Sequence, residues 1–283
     1  MFFLYQFSLS FIILLSPIII LFRIFRNKED KKRFIEKFTI YSKKRTKGKL
    51  IWFHGASVGE ILSVIPVIKK YEEDISVKQI LITSSTLSSS KVLLKFKFKK
   101  TIHQFYPLDH FFFIHRFLKY WRPNIAIFIE SEIWPQMFKT LDNYKIPLVL
   151  LNARITKKTF IKWMKIKKFS KLIFNKISIA YPQNLETKKF LEKLKVKKIN
   201  LIGNLKFSET DNEIQDTIDH QFRSQLNNKK IWVASSTHAN EEIFCAKAHI
   251  ELKKKFKNLI TIIIPRHVHR SKRIIPEIKN LNL

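Results

Sequence analysis

Leu50-Ile51-Trp52-Phe53-His54-Gly55-Ala56-Ser57-Val58-Gly59-Glu60 decides the fold: an apolar run enters a turn of small residues, and a segment of helical period follows. The pattern recurs along the chain. Short runs rich in Ile, Val and Leu at 50–54, 79–83, 103–106, 124–130, 147–152, 176–181 and 198–202 read as strands, and the segments between them as helices. Unbroken rather than alternating apolar strands must be covered on both faces, so the expected architecture is α/β, a doubly wound parallel sheet. Ligands of such sheets gather outside the carboxyl ends of the strands.

A polar stretch at 208–229 interrupts the alternation and reads as an interdomain connection. A strand at 230–235, a helix at 240–256, a strand at 259–265 and a helix from Ser271 then form the first βαβα of a second Rossmann-like domain. At 230–283 that domain is short for a stable independent core. No repeat and no low-complexity tract is present.

The 283 residues are 46% hydrophobic, which excludes disorder as the dominant state. Lys+Arg 54 against Asp+Glu 22 leaves a net charge of +32, enough to bind polyanions, although lysine spread along the whole chain also suits a solvated surface. The single Cys245 rules out a disulfide framework within the chain and a cysteine metal cluster, and reads as a small buried hydrophobe.

Residues 1–22 carry no charged side chain, and as a helix they would extend roughly 33 Å against a hydrocarbon core of about 30 Å. The basic residues Arg23, Arg26, Lys28, Lys31, Lys32 and Arg33 follow this segment instead of preceding it, the wrong order for a cleaved signal peptide. The expectation is a membrane-anchor helix at 1–22 and a basic connector at 23–48, with the rest on the cytoplasmic face of the inner membrane. A core helix, or one lying in the interface, meets the same compositional test.

Gly55-Ala56-Ser57-Val58-Gly59 matches the G-x-S-x-G elbow of serine hydrolases, but that fold needs several strands before its nucleophile and this strand is the first of the soluble part. Gly59 and Glu60 offer another reading: small residues admit a substrate to the backbone, and a helix N-terminus favours an ionised carboxylate suited to a general base. Glu60 as a plain complement to the helix dipole is the bland alternative. Glu130-Ser131-Glu132-Ile133-Trp134-Pro135 ends another strand, where the two carboxylates share a face if the strand continues, and Pro135 suits a helix start. Gly203-Asn204-Leu205-Lys206-Phe207 follows the last strand of the first domain and is expected to place Lys206 near the interdomain cleft, with a solvated surface lysine as the bland alternative. In the second domain, Ser235-Ser236-Thr237-His238 and Pro265-Arg266-His267 close successive strands in equivalent positions, and the Arg266 guanidinium suits a phosphate. There is no G-x-G-x-x-G, P-loop or D-x-D, and His238 with Glu242 is a metal pair only loosely, so a metal-independent reaction without a cofactor is expected. A basic protein acting only by binding a membrane surface or nucleic acid is the non-enzymatic alternative; the chain carries no recognised nucleic-acid motif.

Taken in order with Asn152-Ala153-Arg154, these motifs resemble the bacterial Kdo transferase family, whose members move 3-deoxy-D-manno-octulosonic acid (Kdo) from CMP-Kdo onto a lipid A precursor. The resemblance implies a GT-B architecture with an acceptor-side α/β domain at 49–207 and a truncated nucleotide-sugar domain at 230–283. It makes Glu60 the base that deprotonates the acceptor hydroxyl, assigns transition-state stabilisation to Glu130 and Lys206, and puts Pro265 and Arg266 at the start of the CMP site. The implied partners are CMP-Kdo, lipid IVA and anionic inner-membrane lipids, with no nucleic acid and no metal. The family's second domain continues into a Gly-rich segment, so a fragment, a truncated gene product or a degraded remnant without activity is expected here.

Overall fold

Five of the six residues of β1 (Lys49–His54) are buried, and β2 (Val77–Ser84) and β5 (Leu148–Ala153) are almost wholly so, which is why their sequences run apolar without alternation. The computed structural model describes residues 2–26, 28–207, 220–267 and 270–283. The chain forms two units, Met1–Asp211 and Asn212–Leu283.

In the first unit, α1 (Phe2–Phe25) and a 3-10 turn (Arg33–Phe38) precede β1. There follow α2 (Val58–Ser63), α3 (Ile65–Glu73), β2, α4 (Leu87–Leu93), β3 (Thr101–Phe105), α5 (Phe111–Trp121) and β4 (Ile125–Ile129). Next come α6 (Pro135–Asn143), β5, α7 (Lys157–Lys165), α8 (Lys167–Phe174), β6 (Ile179–Pro182) and α9 (Leu185–Lys193). The six strands pair in parallel in the order β3-β2-β1-β4-β5-β6, the doubly wound order expected, in which the topology switches between β1 and β4.

Each face of the sheet has its own core. Leu50, Trp52, Leu81, Phe128 and Leu150 point into one, with Phe117, Trp121 and Phe138 from the helices; Ile51, Phe53, Ile80, Ile82 and Ile127 point into the other, with Ile61, Ile65 and Ile68. Trp52 is fully buried against Phe117 and Phe128, so truncation to alanine would cost about 3–5 kcal/mol.

The expected strand at 198–202 is corrected to a single parallel bridge between Ala180 and Ile199. Only the Lys198 carbonyl and the Asn200 N–H reach Ala180, and Leu201 and Ile202 turn to solvent as the chain leaves the sheet edge.

Residues 23–48 do more than connect. Glu29 and Glu36 are buried within this basic stretch: Glu29 Oε1 accepts from Arg23 Nε (2.7 Å) and Lys37 Nζ (2.6 Å), while Glu36 pairs with Arg33 and accepts the Phe105 N–H (2.8 Å) at the end of β3. Burying an unpaired carboxylate is costly, so these cations hold the segment against the sheet edge.

Of the expected connection at 208–229, residues 208–219 lie outside the described residues; α10 (His220–Leu226) follows them. The second unit then runs β7 (Lys230–Thr237), α11 (Glu241–Lys255), β8 (Leu259–Pro265) and α12 (Ser271–Lys279), with β7 and β8 parallel. Along β7, Ile231 and Val233 are exposed and Trp232 and Ala234 half-buried, the alternation of a sheet covered on one face.

Candidate active site

The turn after β1 is closed by a reciprocal capping box. Ser57 is the N-cap of α2 and its Oγ accepts the Glu60 N–H (3.3 Å), while Glu60 Oε2 accepts the N–H groups of Ala56 (2.7 Å) and Ser57 (3.4 Å). Gly55 sits in a crowded turn, since a Cβ there would lie 3.1 Å from Ile129 Cδ1 and 3.2 Å from Glu60 Cβ, so a larger residue would make these neighbours give by a few tenths of an ångström. Burial pushes the Glu60 carboxyl above the ordinary carboxylate range and the Glu132 charge adds to it, against the hydrogen bonds from the cap.

Glu132 belongs to a relay that begins in the core. Trp52 Nε1 donates to Thr83 Oγ1 (2.9 Å), which lies 3.0 Å from His54 Nδ1, and His54 Nε2 lies 3.2 Å from Glu132 Oε2. Nδ1 also lies 3.2 Å from the Thr83 carbonyl, and the Thr83 hydroxyl lies 3.4 Å from the Phe53 carbonyl; the Glu132 carboxylate, which when ionised can only accept, is the partner that assigns an imidazole N–H to Nε2. Full burial holds His54 below its usual range, hence neutral. Burial pushes Glu132 up, but the hydrogen bonds from His54 and from Trp134 Nε1 (2.9 Å) prevail and hold it below the usual carboxylate range.

Glu130 and Glu132 do not share a strand face. β4 ends at Ile129 and Glu130 takes a left-handed φ of 54°, so its side chain turns to a different partner from that of Glu132. Lys206 Nζ approaches Glu130 Oε1 at 2.8 Å, an ion pair set outside hydrogen-bonding angles. The same ammonium would sit 3.9 Å from a Cβ on Gly59. Asn152, at the end of β5 and also left-handed at φ 52°, accepts the Leu205 N–H on Oδ1 (3.1 Å) and so fixes the turn that carries Lys206.

The Glu130–Lys206 pair thus stands beside Gly59, the residue before Glu60, at the carboxyl ends of β1 and β4, the switch point of the sheet. The arrangement offers a carboxylate suited to taking a proton beside a cation-carboxylate pair that can balance charge developing on either side of a breaking bond. The sequence reading left Glu132 and Asn152 without roles. The E-S-E spacing is the available signal for Glu132; Asn152-Ala153-Arg154 marks Asn152 as part of a motif, but nothing local gives its role, since its partner is 53 residues away.

Pro265 and Arg266 lie in the second unit. Thr237 pairs in register with Pro265 and its carbonyl accepts the Arg266 N–H (3.0 Å), so the two loop motifs leave adjacent strand ends side by side. Ser236 is left-handed at φ 61°. Glu242 is drawn away from His238: it accepts from Thr237 Oγ1 (2.8 Å) and forks with Arg270 (2.8 and 3.0 Å). Among the described residues no group of three or more His, Cys, Asp or Glu is placed to hold a metal ion.

The family described as 3-deoxy-D-manno-octulosonic-acid transferase (kdotransferase) matches residues 32–209. The chain is 35% identical to the 3-deoxy-D-manno-octulosonic acid transferase of Rickettsia felis, covering 98% of this chain and 70% of that protein. It is 33% identical to the enzyme of the same name from Rickettsia bellii (94% and 64%) and 32% identical to that of Haemophilus influenzae (78% and 52%). The chain therefore spans between about half and 70% of the length of these curated relatives. Among solved structures, UDP-GlcNAc 2-epimerase from Neisseria meningitidis aligns with a TM-score of 0.57 at 16% identity, over 82% of this chain and 69% of that one. A glycosyltransferase from Rickettsia africae aligns at 0.52 and 14%, over 84% and 66%. These likenesses show the fold, α/β with GT-B-like neighbours.

Proposed function

The chain belongs to the 3-deoxy-D-manno-octulosonic acid transferase family, and we propose that it transfers Kdo from CMP-Kdo to lipid IVA at the cytoplasmic face of the inner membrane, without a metal ion. The observation that carries the reading is the Glu130–Lys206 pair standing beside Gly59, the residue before Glu60, at the β1/β4 switch point.

In this reading Glu60 accepts the proton of the acceptor sugar hydroxyl as its oxygen bonds to the anomeric carbon of Kdo. The bond from that carbon to the phosphate oxygen breaks, and CMP leaves with the electron pair. Positive charge builds on the sugar ring, for which the Glu130 carboxylate is a counter-charge, and negative charge builds on the departing phosphate, for which Lys206 is one. The burial that pushes Glu60 up makes it a stronger base than an exposed glutamate. Pro265 and Arg266 begin the CMP site in the second unit, where a guanidinium fork suits the phosphate.

Incubation of the protein with CMP-Kdo and lipid IVA tests this. The reading requires release of CMP that depends on lipid IVA, together with a lipid product heavier by one or more Kdo residues. CMP release at the same rate without the lipid, or none with it, contradicts it.

A further inference from the structure

By length and composition α1 qualifies to cross a bilayer, with a mean hydropathy of 2.3. Its packing says otherwise. Tyr5, Leu9, Ile13, Ser16, Ile20 and Ile24 are covered to half-covered, a stripe at helical spacing that runs the whole length of a helix roughly 36 Å long. Tyr5, Gln6, Ser16 and Arg23 are on this side, while Ser8 and Ser10 are exposed and bond back to the carbonyls of Leu4 and Gln6.

The stripe is tied to the first unit at both ends. Near its start, Tyr5 OH donates to Asp109 Oδ2 (2.6 Å), Gln6 Nε2 donates to Gln136 Oε1 (2.7 Å), and the Phe2 and Tyr5 rings lie 6.2 and 6.1 Å from the ring of Phe169. Near its finish, Arg23 bonds Glu29. Midway, Pro17 cannot donate to the Ile13 carbonyl, and Ser16 Oγ supplies that bond at 2.7 Å, so the helix stays continuous. A helix crossing a bilayer would carry its first turn some 30 Å from a domain held on the other side. Here the first and last turns touch the same domain.

The opposite side is apolar and exposed: Phe3, Phe7, Leu14, Ile18, Phe22 and Phe25 are each between 55% and 78% accessible. Exposed basic residues flank it at both ends. Arg26, Lys28, Lys31 and Lys32 follow its last turn, and α7 and α8, which hold Phe169 beside its first turn, carry Lys162, Lys165, Lys167 and Lys168 with no acidic residue. A second copy laid on this face would set like charges against each other, whereas an anionic lipid surface meets both clusters with opposite charge.

We propose that α1 is an in-plane membrane helix, docked lengthwise on the first unit with its apolar outer face sunk in the interfacial layer of an anionic bilayer. The inference is independent of the donor and acceptor, and its test uses no activity.

Single cysteines at the exposed positions Phe7, Leu14 and Phe22, in a Cys245→Ala background, are spin-labelled and the protein is bound to phosphatidylethanolamine–phosphatidylglycerol vesicles. Depth is read from collisions with oxygen and with a water-soluble nickel complex. All three labels are expected at one shallow depth, about 5–10 Å into the boundary between head groups and chains. A label at Leu14 near the bilayer centre, ~15 Å down, with Phe7 and Phe22 nearer opposite surfaces, overturns the proposal in favour of a spanning helix. Labels that never sense lipid, on a protein that sediments as a dimer, overturn it in favour of a second copy.

Discussion

Lys206 Nζ stands 2.8 Å from Glu130 Oε1 across 76 residues of sequence, beside Gly59, where a Cβ would lie 3.9 Å from the ammonium. Glu130 is nearly buried and Lys206 is not, so the lysine both neutralises the carboxylate and faces solvent where a substrate can reach it. If the pair acts as one unit, its mutations are not additive. Lys206→Met should lower kcat/KM for Kdo transfer about 10²–10³-fold, and the further change Glu130→Gln should cost little more. Steady-state kinetics on the two single variants and the double variant check this; losses that multiply contradict it.

Ser57 caps α2, and turn chemistry is the role expected of it. Its replacement by alanine should cost about 1 kcal/mol in urea unfolding while transfer persists, and the protein should not react with a fluorophosphonate probe.

Glu132 tunes Glu60. Its negative charge disfavours a second one nearby, so removing it should let Glu60 ionise at lower pH. Glu132→Gln keeps a carbonyl oxygen for the His54 N–H and should move the acid limb of the kcat/KM profile to lower pH. A limb that stays in place or moves up would show that Glu132 does not set it.

The sheet was legible because burial on both faces leaves unbroken apolar runs, and six of the seven strands expected in the first unit are there. The seventh failed because apolar composition at Leu201 and Ile202 does not show which strand, if any, lies alongside. The place of Glu60 at a helix start was legible from local chemistry, the small residues of the turn before it; its capping box with Ser57 was not read. Glu132 was not, because the expected shared face assumed that the strand ran on, and the left-handed turn at Glu130 ended it. The connector's structure was hidden in its acids: in a stretch read for its lysines and arginines, Glu29 and Glu36 are the charged residues that become buried.

His103 should make stability depend on pH. Burial pushes its imidazole down to about 3, aided by Arg33, whose Nη2 lies 3.0 Å from Nδ1 while Nε2 faces Ser84 Oγ at 2.9 Å. The folded state therefore refuses a proton that the unfolded state accepts below about pH 6.5. This contribution is full above that pH and is lost as pH falls toward 3, at about 1.4 kcal/mol per pH unit. Asp109, pushed by burial up to about 7, works in the opposite sense, so the difference between the protein and its His103→Gln variant is the quantity to follow. Urea midpoints at several pH values should show a shallower loss in the variant below pH 6.5; parallel curves contradict this.

The most direct test of the account is transfer of Kdo from CMP-Kdo to lipid IVA by Glu60→Gln beside the unchanged protein. The substituted amide keeps an oxygen for the Ala56 N–H, so the capping box and the unfolding midpoint should hold while transfer falls about 10²–10⁴-fold. Undiminished transfer by the variant would contradict Glu60 as the base and, with it, the central claim.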